Sequence, residues 1–407
     1  MNSAEVQGST PPAVSSTCVT SSNGTRDEES ERLQRFGEAL DAIKTRIEAQ
    51  LGADDLAHVA RTQRFSRGME VLGRLLIHFS FEPLGFSAGV IALWLHKQLQ
   101  ATEIGHTVLH GAYDASAFNG LPGAEKFRSK GYDWRIPIDE ECWRYGHNVR
   151  HHGATNVAGK DADIHFGPVR LTDQTPYNPR FHPWQLLFTL FVLFPNFALL
   201  MNTHFTGVSD ALDDNGIETK LDFLPDRSKA SVRSAWRKAM RKFVPYYGVE
   251  YVLFPALAGP FFWKVLLGNW LSELMRDVYS AATIYCGHVG ERTKHYPMGA
   301  RPTRPGEWYK MQAEATNDFE VPWAVSMLCG GLDRQIEHHL FPRFAPQRLR
   351  EIAPEVRALC EAHGVEYRTA SWGRTLRDAL AHIHALSHEG SKNGPLGGVR
   401  AVIAEMA

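Results

Sequence analysis

The sequence has no excess of charge of either sign. Its 44 Lys and Arg stand against 45 Asp and Glu, a formal net charge of −1, which removes bulk electrostatics as a route to nucleic acid. Cysteine is scarce. Cys18, Cys142, Cys286, Cys329 and Cys360 are odd in number, far apart and without a C-x-x-C pair. That excludes a disulfide framework, a zinc ribbon and a rubredoxin-like iron site, and suits a reducing compartment. No basic stretch leading into an apolar core opens the chain, so no cleaved secretory signal is expected. No Gly-x-Gly-x-x-Gly follows a strand pattern, so no dinucleotide domain is expected either. The mean hydropathy is negative, which argues against a transporter built mostly of spans but permits a few spans joined to large polar regions.

What the chain does have is histidine, and it comes in clusters. His147-Asn-Val-Arg-His151-His152 puts three imidazoles within six residues. On a helix, His147 and His151 lie one turn apart on one face, close enough to grip one ion. His152 points about a quarter-turn away, toward a second ion. His106-Thr-Val-Leu-His110 repeats the spacing, and Gln335-Ile-Glu-His338-His339 adds another adjacent pair. One such cluster alone reads equally well as a solvated surface turn. Three clusters separated by long apolar stretches point to a chain folded to bring them together.

The two spaced pairs lack the glutamate of H-E-x-x-H, which a zinc protease uses as general base. A single zinc needs only three or four ligands. The clusters hold seven imidazoles, enough for two ions, and His288 in Cys-Gly-His-Val-Gly is an eighth candidate. Neutral imidazole suits iron, copper or zinc. Two irons with open coordination positions can activate dioxygen, which redox-inert zinc cannot. A membrane cytochrome would carry its histidines inside the spans, facing one another across the bundle. Here they lie just outside the apolar runs. A metal transporter would want ionisable residues within its spans, and the strongest candidate span has none.

The chain divides by composition. Residues 1–30 are rich in Ser, Thr, Pro and charge and are expected to be a disordered tail. In residues 31–65, Leu33, Phe36, Leu40, Ile43, Ile47 and Leu51 recur at spacings of three and four, the apolar stripe of a lead-in helix. It either lies on a membrane surface or packs on the catalytic domain. Residues 69–80 and 83–99 form an apolar pair interrupted by Glu82-Pro83, expected as two short or tilted spans. Trp184 to Met201 carries no charge and is the clearest span; residues 244–271 are a second. Two full crossings are expected there, although they would place the basic run Arg227 to Lys242 on the far side, against the positive-inside tendency. Re-entrant bends at Pro195 and Pro255 are the alternative. Residues 346–362 and 372–388 read as soluble helices, and Gly390 onward as a loose end.

The three boxes, His106-x-x-x-His110, His147-x-x-x-His151-His152 and Gln335-Ile-Glu-His338-His339-Leu-Phe-Pro, resemble those of the integral membrane fatty-acyl desaturases in content, order and separation. The Gln-led third box is similar to that of front-end and several bacterial acyl desaturases. The resemblance covers roughly residues 70–370, within a membrane domain set at 66–370 and followed by a C-terminal helix and tail over 371–407. It implies an all-α integral membrane domain of about four spans, capped by a cytosolic helical region with a di-iron site on the cytoplasmic face. It implies two Fe ions, O2 as co-substrate, and insertion of a double bond into the acyl chain of a lipid or acyl-CoA. It also implies that His288 completes a ligand set of His106, His110, His147, His151, His152, His338 and His339.

Each ligating ring needs its other nitrogen fixed by a partner. Asp114, Asp161, Asp163 and Glu337 lie near the boxes and are candidates, with turn or capping duty as the plainer reading of each. Gln335 is a poor iron ligand beside imidazole and is expected to orient a bound water or a ligand ring. Lys126, Arg128, Arg343 and Arg348 are candidates for coenzyme A phosphates, or simply a cytosolic positive face. His78, His96, His165, His182, His204, His295, His363, His382, His384 and His388 are read as structural, interfacial or solvated. The sequence lacks the His-Pro-Gly-Gly segment of haem domains fused to many front-end desaturases. Electrons are therefore expected from a separate ferredoxin- or cytochrome b5-type carrier with its reductase. The rival readings are a hydroxylase or monooxygenase on a similar scaffold, and a non-catalytic metal- or haem-binding membrane protein.

Overall fold

The structure, a computed structural model, describes residues 20–212 and 223–388. It is mostly helical, with an antiparallel ribbon of His165–Phe166 and Val169–Arg170 and a parallel pair of Asp318–Glu320 and Thr369–Ser371. The first helix, α1 (Thr20–Gln50), carries the expected stripe inward: Leu33, Phe36, Leu40, Ile43 and Ile47 are all buried. Phe36, Leu40, Ile43 and Ile47 pack on Ile336 and Leu340 of α7 (Gln335–Leu340) and on Leu349, Ile352 and Val356 of α8 (Pro346–Ala362). The lead-in helix is thus a brace behind the third histidine box. It begins at Thr20, so residues 20–30 are helical where a loose tail was expected. The packed stripe supplies the costly nucleus, and no proline stands in the way of extension toward the N-terminus. The rest of that tail, and the loose end from Gly390, lie outside the described residues.

Next comes a helical hairpin, α2 (Ala53–Phe79) and α3 (Pro83–Leu99). Glu82-Pro83, which interrupts the apolar pattern, is its joint. The Glu82 carboxylate accepts from the backbone N–H of Leu84 at 2.7 Å and of Gly85 at 2.6 Å, and Pro83 takes the first helical position. The two helices touch backbone to backbone. A Cβ on Gly73 would meet the Leu93 nitrogen at 2.7 Å, and one on Gly89 the Ile77 nitrogen at 2.9 Å. Small residues at a helix crossing serve the same purpose in membrane bundles.

Among the described residues one helix is long and apolar enough to cross a membrane on its own, α4 (His182–Thr206). Residues 244–271 are not a crossing. They comprise the end of α5 (Lys229–Gly248) and its continuation to Leu257, a reversal, and the start of α6 (Phe262–His288). The reversal falls at Gly259-Pro260, where Gly259 takes a left-handed φ of 54° and Pro260 brings no backbone donor to continue the helix. This turn resolves the conflict over the basic run. Arg241 donates to Asp139 and Lys242 to the Trp134 carbonyl at 2.8 Å, both in the segment leading to His147. The run lies at the histidine end of the bundle.

The tips of the two hairpins meet, because the Lys264 ammonium donates to the carbonyls of His78 and Ser80, each at 2.8 Å. Phe79, Phe81, Leu84, Leu257 and Trp263 are exposed around them. The last two helices stand where the periodicity put them, α8 as above and α9 at Trp372–Ala385, with Ile383 buried against α4 and α6.

The glycine crossing gives a test. Replacing Gly89 by Leu is expected to destabilise the fold by about 1–3 kcal/mol, because α2 must move away. Gly68→Ala, on the facing helix α2 with open space around it, should hold or raise stability. Thermal unfolding in detergent of both variants checks this; equal melting points would mean that the crossing is not tight.

Candidate metal centre

The first two histidine clusters sit on widened helical turns. Helix α3 runs without a break through a π-turn, Gln100–His106, into Thr107–Leu109. The second box occupies another π-turn, Arg144–His151. There the His152 N–H donates to the His147 carbonyl at 3.0 Å, an i→i+5 bond. This corrects the expectation from ideal α geometry that His152 points away from His147. The extra residue per turn brings His151 and His152 both against His147, with ring centroids 5.0 and 4.8 Å away.

A further signal lay in the sequence unread. The dipeptide Gly-His occurs as Gly105-His106, Gly146-His147 and Gly287-His288. A Cβ on Gly105 would strike the Trp134 indole nitrogen at 1.9 Å, one on Gly146 the Phe205 ring at 2.2 Å, and one on Gly287 the Gln335 side chain at 2.7 Å. Each glycine lets a neighbour press on the backbone beside a histidine and so places that ring.

All eight candidate histidines converge. His106, His110, His147 and His338 form one group, and His151, His288 and His339 another; the ligand atoms within each group lie within 4.8 Å of one another. His152 stands between them, stacked on His339 at 4.1 Å and 4.9 Å from His338. The Nε2 atoms of His106 and His110 are 3.1 Å apart.

The donor chemistry fits a metal. Ring nitrogens on His147, His151, His152, His288, His338 and His339 are buried without a hydrogen-bond partner. Each such group costs about 1–3 kcal/mol when left unsatisfied. Burial, then the neighbouring imidazoles, push His152, His338 and His339 well below the usual histidine range, so they present neutral lone pairs at pH 7. Burial also disfavours a charge on His151, but Asp161 and Asp163 outweigh it and hold that ring up to about 9.

The opposite nitrogens are held, some by expected partners and some by others. His151 Nδ1 meets Asp161 at 2.9 Å and His147 Nδ1 meets Asp163 at 3.3 Å. Asp161 also accepts from the Asn156 and Asp163 N–H groups, which ties the following loop to the ring. Gln335 contacts His288 Nε2 at 2.6 Å, as expected of a residue that orients a ring. His339 Nδ1 is held instead by Thr155 at 3.0 Å and Gln312 at 3.1 Å, which no spacing in the sequence announced.

Two candidates do other work. Asp114 accepts from the Ser129 N–H at 2.9 Å, a loop contact. Glu337 faces Tyr367, at 3.0 Å, and Asp318 rather than a histidine. Of the basic residues, Arg128 is spent on the Tyr113 carbonyl and Asn119, and Arg348 on Asp55. Among the histidines left aside, His182, His204, His363 and His382 each bond to backbone. His295 stacks on His382.

An apolar cavity reaches the cluster. Trp134, Ile136, Ile138, Phe197, Met201 and Ile284 line it beside His106, His147 and His288. A helical protein with eight converging imidazoles and a greasy cavity against them belongs to the polyhistidine metalloenzymes that act on apolar substrates. The fatty acid desaturase family profile matches residues 80–371. The chain is 30% identical over 358 residues to the NADPH-dependent stearoyl-CoA 9-desaturase of Mycobacterium tuberculosis, covering 85% of this chain and 78% of that one. It is 25% identical over 298 residues to the sn-1 linoleoyl-lipid 6-desaturase of Synechocystis, covering 71% and 77%. It is 24% identical over 332 residues to the acyl-lipid (9-3)-desaturase of Borago officinalis, covering 78% and 67%. The chain belongs to the fatty acid desaturase family. It is an oxidoreductase of lipid metabolism that introduces a double bond into an acyl chain, with use of metal and dioxygen.

Three substitutions separate holding from placing. Asp161→Asn is expected to weaken metal binding about 10- to 100-fold, through loss of the ring's anchor. Gln335→Ala should keep most of the metal yet lose about tenfold or more in activity, and Gly287→Ala, which drives the glutamine aside, should behave alike. Metal content against turnover decides. If Gln335→Ala strips the metal as fully as His338→Ala, the glutamine is itself a ligand.

Proposed function

We propose that this desaturase is an integral membrane acyl-CoA desaturase with two irons. The observation that carries the reading is the set of buried imidazole nitrogens without partners, facing one another beside an apolar cavity. His106, His110, His147 and His338 would hold one ion and His151, His288 and His339 the other, with His152 between. The coenzyme A carrier is favoured by the stearoyl-CoA relative, which has the highest identity among those above. Bound at these rings, iron would activate dioxygen, the oxidant needed to remove hydrogen from an unactivated methylene, which no acid–base side chain can do.

The chain's own residues do the rest. Asp161, Asp163, Thr155 and Gln312 fix ring tautomers and orientations, so that little reorganises on turnover. Gln335 orients His288 and keeps its carboxamide oxygen without a protein partner, available to a water at the centre. The aromatic and aliphatic walls exclude bulk water and lay the acyl chain alongside the histidines.

The membrane topology follows the two hairpins. We assign four crossings, α2, α3, the helix from α5 to Leu257, and α6, with α4 packed beside them. Exposed Val71, Leu75, Val252 and Leu267 face the hydrocarbon, and the apolar tips reach the far leaflet. Both ends of each hairpin then return to the side holding the histidines and the basic run, which the positive-inside tendency assigns to the cytoplasm. Electrons arrive there from a separate carrier and its reductase, and the mycobacterial relative, NADPH-dependent by name, favours NADPH as their source.

The purified chain is expected to contain about two irons, since eight imidazoles exceed what one ion can use. Metal analysis with assay of the reconstituted system tests this, and an active preparation with zinc and no iron would overturn it. The product from a saturated acyl-CoA should be an alkene by mass spectrometry. An alcohol would favour a hydroxylase.

A further inference from the structure

The apolar cavity beside the histidines ends on charge. Its residues on α6, Arg276, Asp277, Ser280, Ile284 and His288, follow one helical face. From His288 back to Arg276 is twelve residues, about 18 Å at the helical rise. At the histidine end a second cavity shares Asp163, Phe197, Met201, Ile284 and His288 and continues to Leu171 and His295. The path thus passes the metal-facing rings and runs on along α6 between the hairpins.

Arg276 is 1% exposed at its far end. Its Nε donates to Asp277 at 3.0 Å and its Nη2 to Glu273, while Nη1 is buried with no protein partner. The group is fixed in place. Asp277 also accepts from the Ala198 N–H at 3.2 Å; Glu273 accepts from Lys97 at 2.8 Å and Tyr246 at 2.7 Å; Lys97 also meets Glu250 at 3.0 Å, which pairs with Arg74. Three cations and three carboxylates neutralise one another across α2, α3, α5 with its continuation, and α6. Moving Arg276 aside would break a buried network rather than rotate one side chain.

We propose that Arg276 sets the maximum acyl length beyond the metal centre, acting as a charged stop at the tail end of the pocket. This rests on the acyl-CoA reading above, with the thioester toward His295 and the methyl end toward Arg276. Each added methylene that finds apolar wall strengthens binding about fourfold. A chain pressed further meets a guanidinium that its ion pairs hold in place: it forgoes that gain, and displacing the group would break the buried network. The penalty exceeds the gain, so a saturated chain stops at the guanidinium. The stop is electrostatic, whereas a bulky apolar floor would act by volume alone.

The test is a competition among even-numbered saturated acyl-CoAs, with the full chain in membranes and its electron donors supplied, read as the ratio of kcat/KM between the longest accepted chain and the next longer one. In Arg276→Met with Asp277→Asn, which keeps the network neutral, that ratio should shift about tenfold toward the longer chain. Ser280→Leu, which fills the pocket one turn nearer the histidines, should shift preference to shorter chains. A folded, active Arg276→Met/Asp277→Asn protein with the parental ratio overturns the proposal. If that protein does not fold, an unchanged profile in Ser280→Leu overturns it, because the tail then lies elsewhere. A parent protein that desaturates no acyl-CoA would count against the functional reading instead.

Discussion

Everything in this structure depends on the burial of imidazoles that face one another, most of them with a ring nitrogen that has no partner. Such an arrangement is unfavourable on its own, because each lone pair has left water and found nothing in exchange. A cation makes it favourable, and the surrounding architecture can be understood as what holds the rings at that separation. Two boxes ride on π-turns, which a helix adopts only where tertiary contacts stabilise them. The third is pressed forward by α1 and α8 through Phe36, Leu40 and Leu349. Asp161 reaches from a loop into which Asn156 is bent at φ 56°, a backbone region Asn tolerates better than most residues.

The helical hairpins obey a second constraint, that charges buried among helices must cancel. Arg74, Lys97 and Arg276 meet Glu250, Glu273 and Asp277 across four helical segments. These charges explain why only α4 among the described helices looks like an isolated span, although the hairpin helices are longer than many spans. Their hydrophobicity is diluted by residues that face inward. A composition test on one helix at a time misses a bundle whose polar groups satisfy one another.

Local patterns carried much of this. The lead-in stripe, the last two helices and the three boxes are periodic or compact features, and each survives folding because the residues that define it are neighbours in sequence. The errors came where a non-local fact decided. Residues 244–271 read as one apolar crossing because hydropathy is blind to a reversal; the left-handed Gly259 and the packing of Lys264 against the other hairpin tip make it a turn. Asp114 and Glu337 were candidates by proximity in sequence, yet their side chains face Ser129 and Tyr367. Thr155 and Gln312 became partners of His339 across 184 and 27 residues respectively, separations at which no spacing rule applies.

By itself the sequence determined the chemistry: eight imidazoles arranged in the order of a desaturase, with no haem or nucleotide motif beside them. Only the tertiary structure decided which histidines lie against one another, which carboxylate holds which ring, at which end of the bundle the basic run lies, and that a guanidinium lines the greasy pocket. The physical reason is one of range. Ligand type and helical phase are set by residues a turn apart, whereas convergence, charge cancellation and the shape of a cavity belong to helices brought together from distant parts of the chain.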